Sequence, residues 1–386
     1  MKRFFILFSV ACLLLACNAC PRADSKNLSS NAALEVILDR LRRTNASAWG
    51  VTVPGMGAAL LTDGQAEPTE ATSGSADPPG DEPLRLVDRF HIGSLTKTFT
   101  AALIMLLDQE GRLGLDQPIS VWLDYPEGDD VTIRMLLGHT SGLPDFSELP
   151  GLTRRETPRE AIALAAAAPP LFAPGTRWAY SNTNYIILGV IAEQATGEPW
   201  ENLIRTRFLE PLGLDSTYVW EGSPRPDTAT GSRMACGYAD EPRCAPQSGL
   251  DLLAVKDGPD WTLAWAAGAM VSTPRDVCRW ISALVSGKVL DAEHRDLMIT
   301  PTPESIAALR ELPAFGPTRW VGDGLGLFKY DIEGAGSGWG HEGSIDGFVA
   351  NAAYLPDARM SVAILSNFAM ADSFSALGDL VLKPRH

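Results

Sequence analysis

Short strand-like runs bracket a long series of helical blocks, and this order restricts the fold more than any other feature of the 386-residue chain. Residues 33–43 place Leu34, Ile37, Leu38 and Leu41 on one helical face. Residues 51–53 and 56–61 then read as strands, ending at the turn residues Thr62, Asp63 and Gly64. The segment 65–83, rich in Gly, Pro and acid, reads as a loop or a long hairpin turn. From Ser94 the period changes: Phe99, Leu103, Leu106 and Leu107 fall on one helical face, and Gly111 supplies a stop. Helical blocks follow at 132–138, 158–168, 184–195 and 200–208, separated by Pro and Gly. Strand-like runs return at 325–331, 348–355 and 361–366, and residues 369–382 read as a closing helix. The pattern predicts an α+β fold: an antiparallel sheet built from both chain ends and flanked by helices, with an all-helical domain inserted. The expected sheet domain takes residues 33–93 and 265–386, and the mostly helical domain takes 94–264.

An apolar fraction of 45% with 20% charged residues suits a globular chain. The formal charge of −15 argues against nucleic acid as a partner, because phosphate binding needs a clustered positive field. Residues 1–17, MKRFFILFSVACLLLAC, have the basic start, apolar run and small residue of an export signal. The run is shorter than a membrane span requires. Leu14-Leu15-Ala16-Cys17 resembles a bacterial lipobox, which would make Cys17 a lipidated membrane tether; a shifted reading ends at Cys20, and the other reading is an ordinary secretory leader. Residues 18–32 form a polar tether in this scheme, and the mature chain is extracytoplasmic, either periplasmic or membrane-anchored. That compartment permits disulfides, so Cys236 and Cys244, in a polar loop-like stretch, are either a bridge or two thiols. Cys278 falls on an amphipathic helical pattern and reads as core.

Within HIGSLTKTFT, Lys97 follows Ser94 by three residues, a rotation of about 300° on a helix, so both side chains emerge on one face about a turn apart. Serine attacks a carbonyl usefully only when a neighbour takes its proton. Lysine can do so once burial lowers its pKa, and Ile92, Leu95, Phe99, Ala101 and Ala102 supply an apolar setting. The alternative is a capping serine beside a solvated lysine. With seven lysines in the chain, the spacing alone decides little.

Four ordered segments decide more: GSLTKTFTAALIMLL, VTIRMLLGHTSGLPDF, WAYSNTNYIILGVIAE and GHEGSIDGFVANAAYLP. Together they resemble the serine β-lactamase and penicillin-recognising hydrolase family, which includes class C β-lactamases, D,D-peptidases and related esterases. The resemblance spans roughly residues 33 to 370. It implies the β-lactamase/D,D-peptidase fold, with Ser94 as nucleophile, Lys97 as its base partner, and Tyr180 as proton carrier to the leaving group. A tyrosinate or a Tyr–Lys hydrogen bond fits that role. Asn182 would orient Lys97 and the substrate carbonyl. His341, Gly343 and Ser344 would form the third substrate-binding motif, Gly343 permitting close approach and Ser344 giving an N–H to the oxyanion hole with that of Ser94. No cofactor is implied.

The third motif departs from the family's usual Lys-Thr-Gly. A neutral His341 and an ionised Glu342 would hold an anionic substrate poorly, which moves the reading from β-lactamase or D,D-carboxypeptidase toward an esterase, amidase or peptidase working through an acyl-enzyme. A rival of another class is a catalytically weak binding or sensor protein. His139 reads as a hydrogen-bonded turn residue and His91 as packing. The scattered histidines give no metal-ligand spacing. The run 322–326 reads as tight lead-in to a strand, and Trp178 and Trp265 as core or rim packing.

Overall fold

An early and a late strand of the chain meet in one sheet. A computed structural model describes residues 31–49, 53–77, 82–150, 152, 156–222, 234–235, 238–239, 253–254, 261–312, 318–369 and 371. The expected export segment with Cys17, the Cys236 and Cys244 pair, and nearly all of the expected closing helix lie outside those residues. Strand Gly55–Thr62 pairs antiparallel with Met360–Ser366, Ala58 opposite Ile364, so early and late sequence become neighbours at the middle of the sheet. The full eight-stranded order is Glu82–Pro83, Thr69–Asp77, Gly55–Thr62, Met360–Ser366, Phe348–Leu355, Gly336–Ile345, Phe328–Ile332 and Thr318–Asp323.

Both faces of this sheet are covered, which is why its central strands read as nearly continuous apolar runs. Ala58, Leu60, Val362 and Ile364 pack with Leu34, Leu38 and Leu41 of helix Asn31–Trp49. The alternate residues Ala59, Leu61, Ala363 and Leu365 join Val277, Cys278 and Ile281 of helix Pro274–Val285 in the larger core. Cys278 is buried there and its thiol approaches the Ser361 carbonyl.

The larger core continues into the helical region, whose central member is Thr96–Gln109, buried on nearly every side. Phe99 stacks on Trp280 at 3.9 Å between ring centroids, and the Trp280 indole N–H donates to Thr98 Oγ1 at 2.8 Å. Helix Asn182–Thr196 packs beside it, ended by Gly197 in the left-handed conformation. Among the described residues no helix is long and apolar enough to cross a membrane.

Several local expectations need correction. Much of the segment 65–83 is not a loop: Thr69–Asp77 pairs with Gly55–Thr62, and Glu82–Pro83 adds a short edge. Its small and hydroxyl residues carry no apolar alternation, and pairing with a strand already anchored in the core prevails over propensity. Val53 precedes the first strand, which starts at Gly55. Residues 324–327 turn between Thr318–Asp323 and Phe328–Ile332, so the expected 325–331 strand starts later. Helix Thr96–Gln109 is preceded by a separate 3₁₀ turn, Gly93–Leu95, that contains Ser94.

Gly189 marks a tight contact between helices near the site. A Cβ there would lie 2.6 Å from Ala266 Cβ and 2.7 Å from Trp265 Cζ3. Gly189→Ala gains up to about 1 kcal/mol of helix propensity but meets an overpacking cost of about 1–3 kcal/mol. A net loss of about 1 kcal/mol is expected, read as a lower midpoint in denaturant unfolding; an unchanged or higher midpoint would contradict this packing.

Candidate active site

The strand Gly336–Ile345 passes so close to the Gly93–Leu95 turn that side chains are excluded on both. A Cβ on Gly343 would lie 1.9 Å from the Ile92 carbonyl oxygen and 2.9 Å from the Ser94 nitrogen. A Cβ on Gly93, which has φ +50°, would lie 2.9 Å from the Ser344 nitrogen. Glycine at both positions therefore brings the Ser94 and Ser344 amides side by side.

Lys97, one turn along from Ser94, is completely buried. Its Nζ lies 2.9 Å from Ser94 Oγ, 2.7 Å from Asn182 Oδ1 and 2.7 Å from the Ala267 carbonyl oxygen. Burial lowers its pKa from 10.5 to about 7, and the Asp145 carboxylate opposes that shift. The geometry fits both protonation states. As an ammonium, Nζ donates to all three oxygens; as an amine, it donates to Asn182 Oδ1 and Ala267 O and keeps its lone pair for the Ser94 hydroxyl proton.

Tyr180 and Asn182 flank Ser181 where extended chain enters helix Asn182–Thr196. Tyr180 is hydrogen-bonded to the Ser94 side chain, and Lys97 Nζ lies 4.9 Å from its ring centroid. Burial raises the phenol well above its ordinary range, and the hydrogen bond to Ser94 only partly opposes this. Tyrosinate is thus disfavoured: the structure holds a neutral phenol beside an amine that readily sheds its own proton.

His341 is buried within the same cluster, 6.5 Å from the Tyr180 ring and 5.0 Å from that of Phe328. Burial first, then the nearby Lys97, lowers its pKa to about 3, and its Nδ1 meets the Glu342 carbonyl. Nδ1–H is therefore the donor, leaving Nε2 as an acceptor. Burial works against the negative charge expected of Glu342. Its Oε2 is buried without a hydrogen-bond partner, and burial raises the carboxyl well above the usual range, favouring the neutral acid.

The carboxylate that does act on Lys97 is Asp145, to which sequence reasoning gave no role. Its Oδ2 accepts from Asn182 Nδ2 at 2.9 Å, while Oδ1 accepts from the Ser147 N–H and hydroxyl. Its one sequence signal is position, an acid just after Leu143-Pro144 in the second of the four segments. His91 is packing, between Trp220 at 4.7 Å and Phe348 at 5.2 Å. The Trp178 indole donates to buried Asp323, whose pKa burial pushes up to about 8. Trp265 donates to Glu201 and packs on Trp200.

Gly343→Ala must move backbone against backbone, and displacement of reacting groups by about 1 Å typically costs about 100-fold. A loss of at least that size in the rate of serine labelling by a fluorophosphonate is expected, with the circular dichroism of the folded protein retained; a wild-type rate would contradict the close approach.

A family model described as Beta-lactamase matches residues 44–381. Penicillin-binding protein 4 of Amycolatopsis lactamdurans is 29% identical over 338 residues, covering 83% of this chain and 83% of that protein. Penicillin-binding protein 4* of Bacillus subtilis (strain 168) is 34% identical over 174 residues, or 43% of this chain; the match spans only 38% of that protein's length. The D-amino acid amidase of Ochrobactrum anthropi SV3, solved with L-phenylalanine amide, superposes with a TM-score of 0.74 at 29% identity, covering 91% of this chain and 97% of the amidase. With this match and with its serine, lysine, tyrosine and asparagine gathered in one cluster, the chain belongs to the β-lactamase family of penicillin-recognising serine hydrolases.

Proposed function

We propose that the protein hydrolyses amides or esters of amino acids and short peptides through an acyl-enzyme on Ser94. One observation carries the reading: Lys97 Nζ is buried between two fixed acceptors with its third direction on Ser94 Oγ. Ser94 Oγ bonds to the substrate carbonyl carbon as its proton passes to Lys97, and the Ser94 and Ser344 N–H groups face the oxyanion. The C–N or C–O bond then breaks, and the leaving atom takes a proton from Tyr180, which recovers one from Lys97. Water repeats the sequence on the acyl-enzyme, releasing the acid and restoring Ser94.

The charges point to the substrate class. Burial favours the neutral forms of Lys97 and His341, so these two basic groups give a substrate carboxylate little counter-charge. Asp145, one hydrogen bond beyond Asn182, instead offers an anion suited to a free α-ammonium. The amidase likeness supports an amino-acid amide over a β-lactam or a D-alanyl peptide. The basic start and apolar run of residues 1–16 support export, and Cys17 is the proposed site of a lipid tether to the membrane.

The test is a matched panel of amino-acid amides with free and acetylated amino groups, alongside fluorophosphonate labelling. A charge-assisted hydrogen bond of about 1.5–3 kcal/mol corresponds to a preference of about 10–100-fold in kcat/KM for the free amine. Asp145→Asn is expected to remove that preference while Ser94 remains labelled. Equal turnover of both series by the native protein would overturn the substrate assignment. Failure of folded protein to label on Ser94 would favour a binding or sensor role.

A further inference from the structure

We propose that His139 is a positioning residue that clamps Tyr180 for protonation of the leaving group, an inference that rests on the acyl-enzyme reading above. His139 is buried and adopts φ +55°, a left-handed backbone that only a minority of non-glycine residues occupy. From that conformation it holds the chain on both sides of Tyr180. Its carbonyl accepts from the Ala179 N–H at 3.0 Å, and its ring Nδ1 accepts from the Ser181 N–H at 3.1 Å. Between those two bonds the imidazole stacks on the phenol ring, 4.4 Å between centroids with planes 30° apart.

The imidazole is itself held in one orientation. Accepting at Nδ1 places its proton on Nε2. Asn184 Nδ2 lies 3.3 Å from the same Nδ1, and Asn184 Oδ1 accepts from Ser141 Oγ at 2.8 Å. Tyr185 closes another side at 5.2 Å, and its hydroxyl is tied to the Leu137 carbonyl at 3.1 Å. Burial and the neighbouring Lys97 lower the imidazole's pKa well below its ordinary value, so the acceptor at Nδ1 persists at neutral pH.

Within acylation, the step in which anilide and ester differ, the consequence falls on one proton transfer; deacylation is the same for both substrates. As the C–N bond breaks, the departing nitrogen takes the Tyr180 proton; a nitrophenolate leaves without one. A displaced phenol therefore slows cleavage of amides more than cleavage of nitrophenyl esters. General acid catalysis is typically worth about 10²–10⁴-fold, and about 100-fold of it is exposed to a displacement near 1 Å.

The experiment compares His139→Ala, His139→Asn, Tyr180→Phe and the His139→Ala/Tyr180→Phe double variant on an amino-acid anilide and the matching nitrophenyl ester. His139→Ala is expected to lose about 100-fold in kcat/KM, which reports acylation, on the anilide and under about tenfold on the ester. His139→Asn tolerates the left-handed backbone and keeps a side-chain acceptor, so it is expected to recover part of the loss; it also serves as the test protein if the alanine variant does not fold. The double variant is expected to match Tyr180→Phe alone, because a clamp is worthless once the phenol is absent. Equal losses on both substrates, or additive losses in the double variant, would overturn the clamp while leaving Ser94 and Lys97 in their roles. Tyr180→Phe without an anilide bias would overturn the assignment of Tyr180 and the clamp with it.

Discussion

A single buried amine organises this site. Lys97 has surrendered its hydration, and the protein returns three oxygen partners to its Nζ: a carbonyl from the segment before strand Met270–Ser272, a carboxamide from the start of a helix, and the Ser94 hydroxyl. Desolvation weakens the ammonium's hold on its proton, and in the proposed mechanism the same partners solvate the ammonium that the serine proton would form. Asp145, acting through Asn182 and by charge, favours the ammonium and so tempers the shift. In the proposed mechanism this amine accepts and returns the serine proton while keeping the same oxygen partners.

That arrangement depends on elements far apart in sequence. Gly93 and Gly343 allow the Gly93–Leu95 turn and the Gly336–Ile345 strand to touch through backbone alone. Gly189 lets helix Asn182–Thr196 close on the Trp265–Gly268 segment that carries the Ala267 carbonyl. Pairing of Gly55–Thr62 with Met360–Ser366 brings early and late sequence together, and the Thr96–Gln109 helix is locked into the core by Phe99 and Trp280. Each approach is governed by shape, and none by charge.

Much of this was legible in the sequence because it follows from periodicity. Leu34, Leu38 and Leu41 declared a helix that packs on the sheet, and the apolar runs at 348–355 and 361–366 declared its central strands. Ser94 and Lys97 were visible through helical rotation, although the serine lies in a 3₁₀ turn ahead of the regular helix. Strand Thr69–Asp77 was not visible, and Gly336–Ile345 only around Gly343 through the family resemblance, both being rich in small, hydroxyl and glycine residues whose pairing is imposed by neighbours. Side-chain charge was the least legible property. Glu342 looked ionised by residue type and is held toward the neutral acid by burial, whereas Asp145, given no role from the sequence, bonds directly to Asn182. Protonation depends on three-dimensional burial, which no local pattern encodes.

The central claim concerns the charge on one nitrogen, and magnetic resonance of lysine labelled at the ε position reads it directly. Lys97 is identified by the signal lost in Lys97→Arg, and its titration is followed against the chain's other lysines. The account predicts a midpoint near pH 7, about three units below an exposed lysine. A Lys97 signal that stays in the ammonium form to about pH 10 would contradict it.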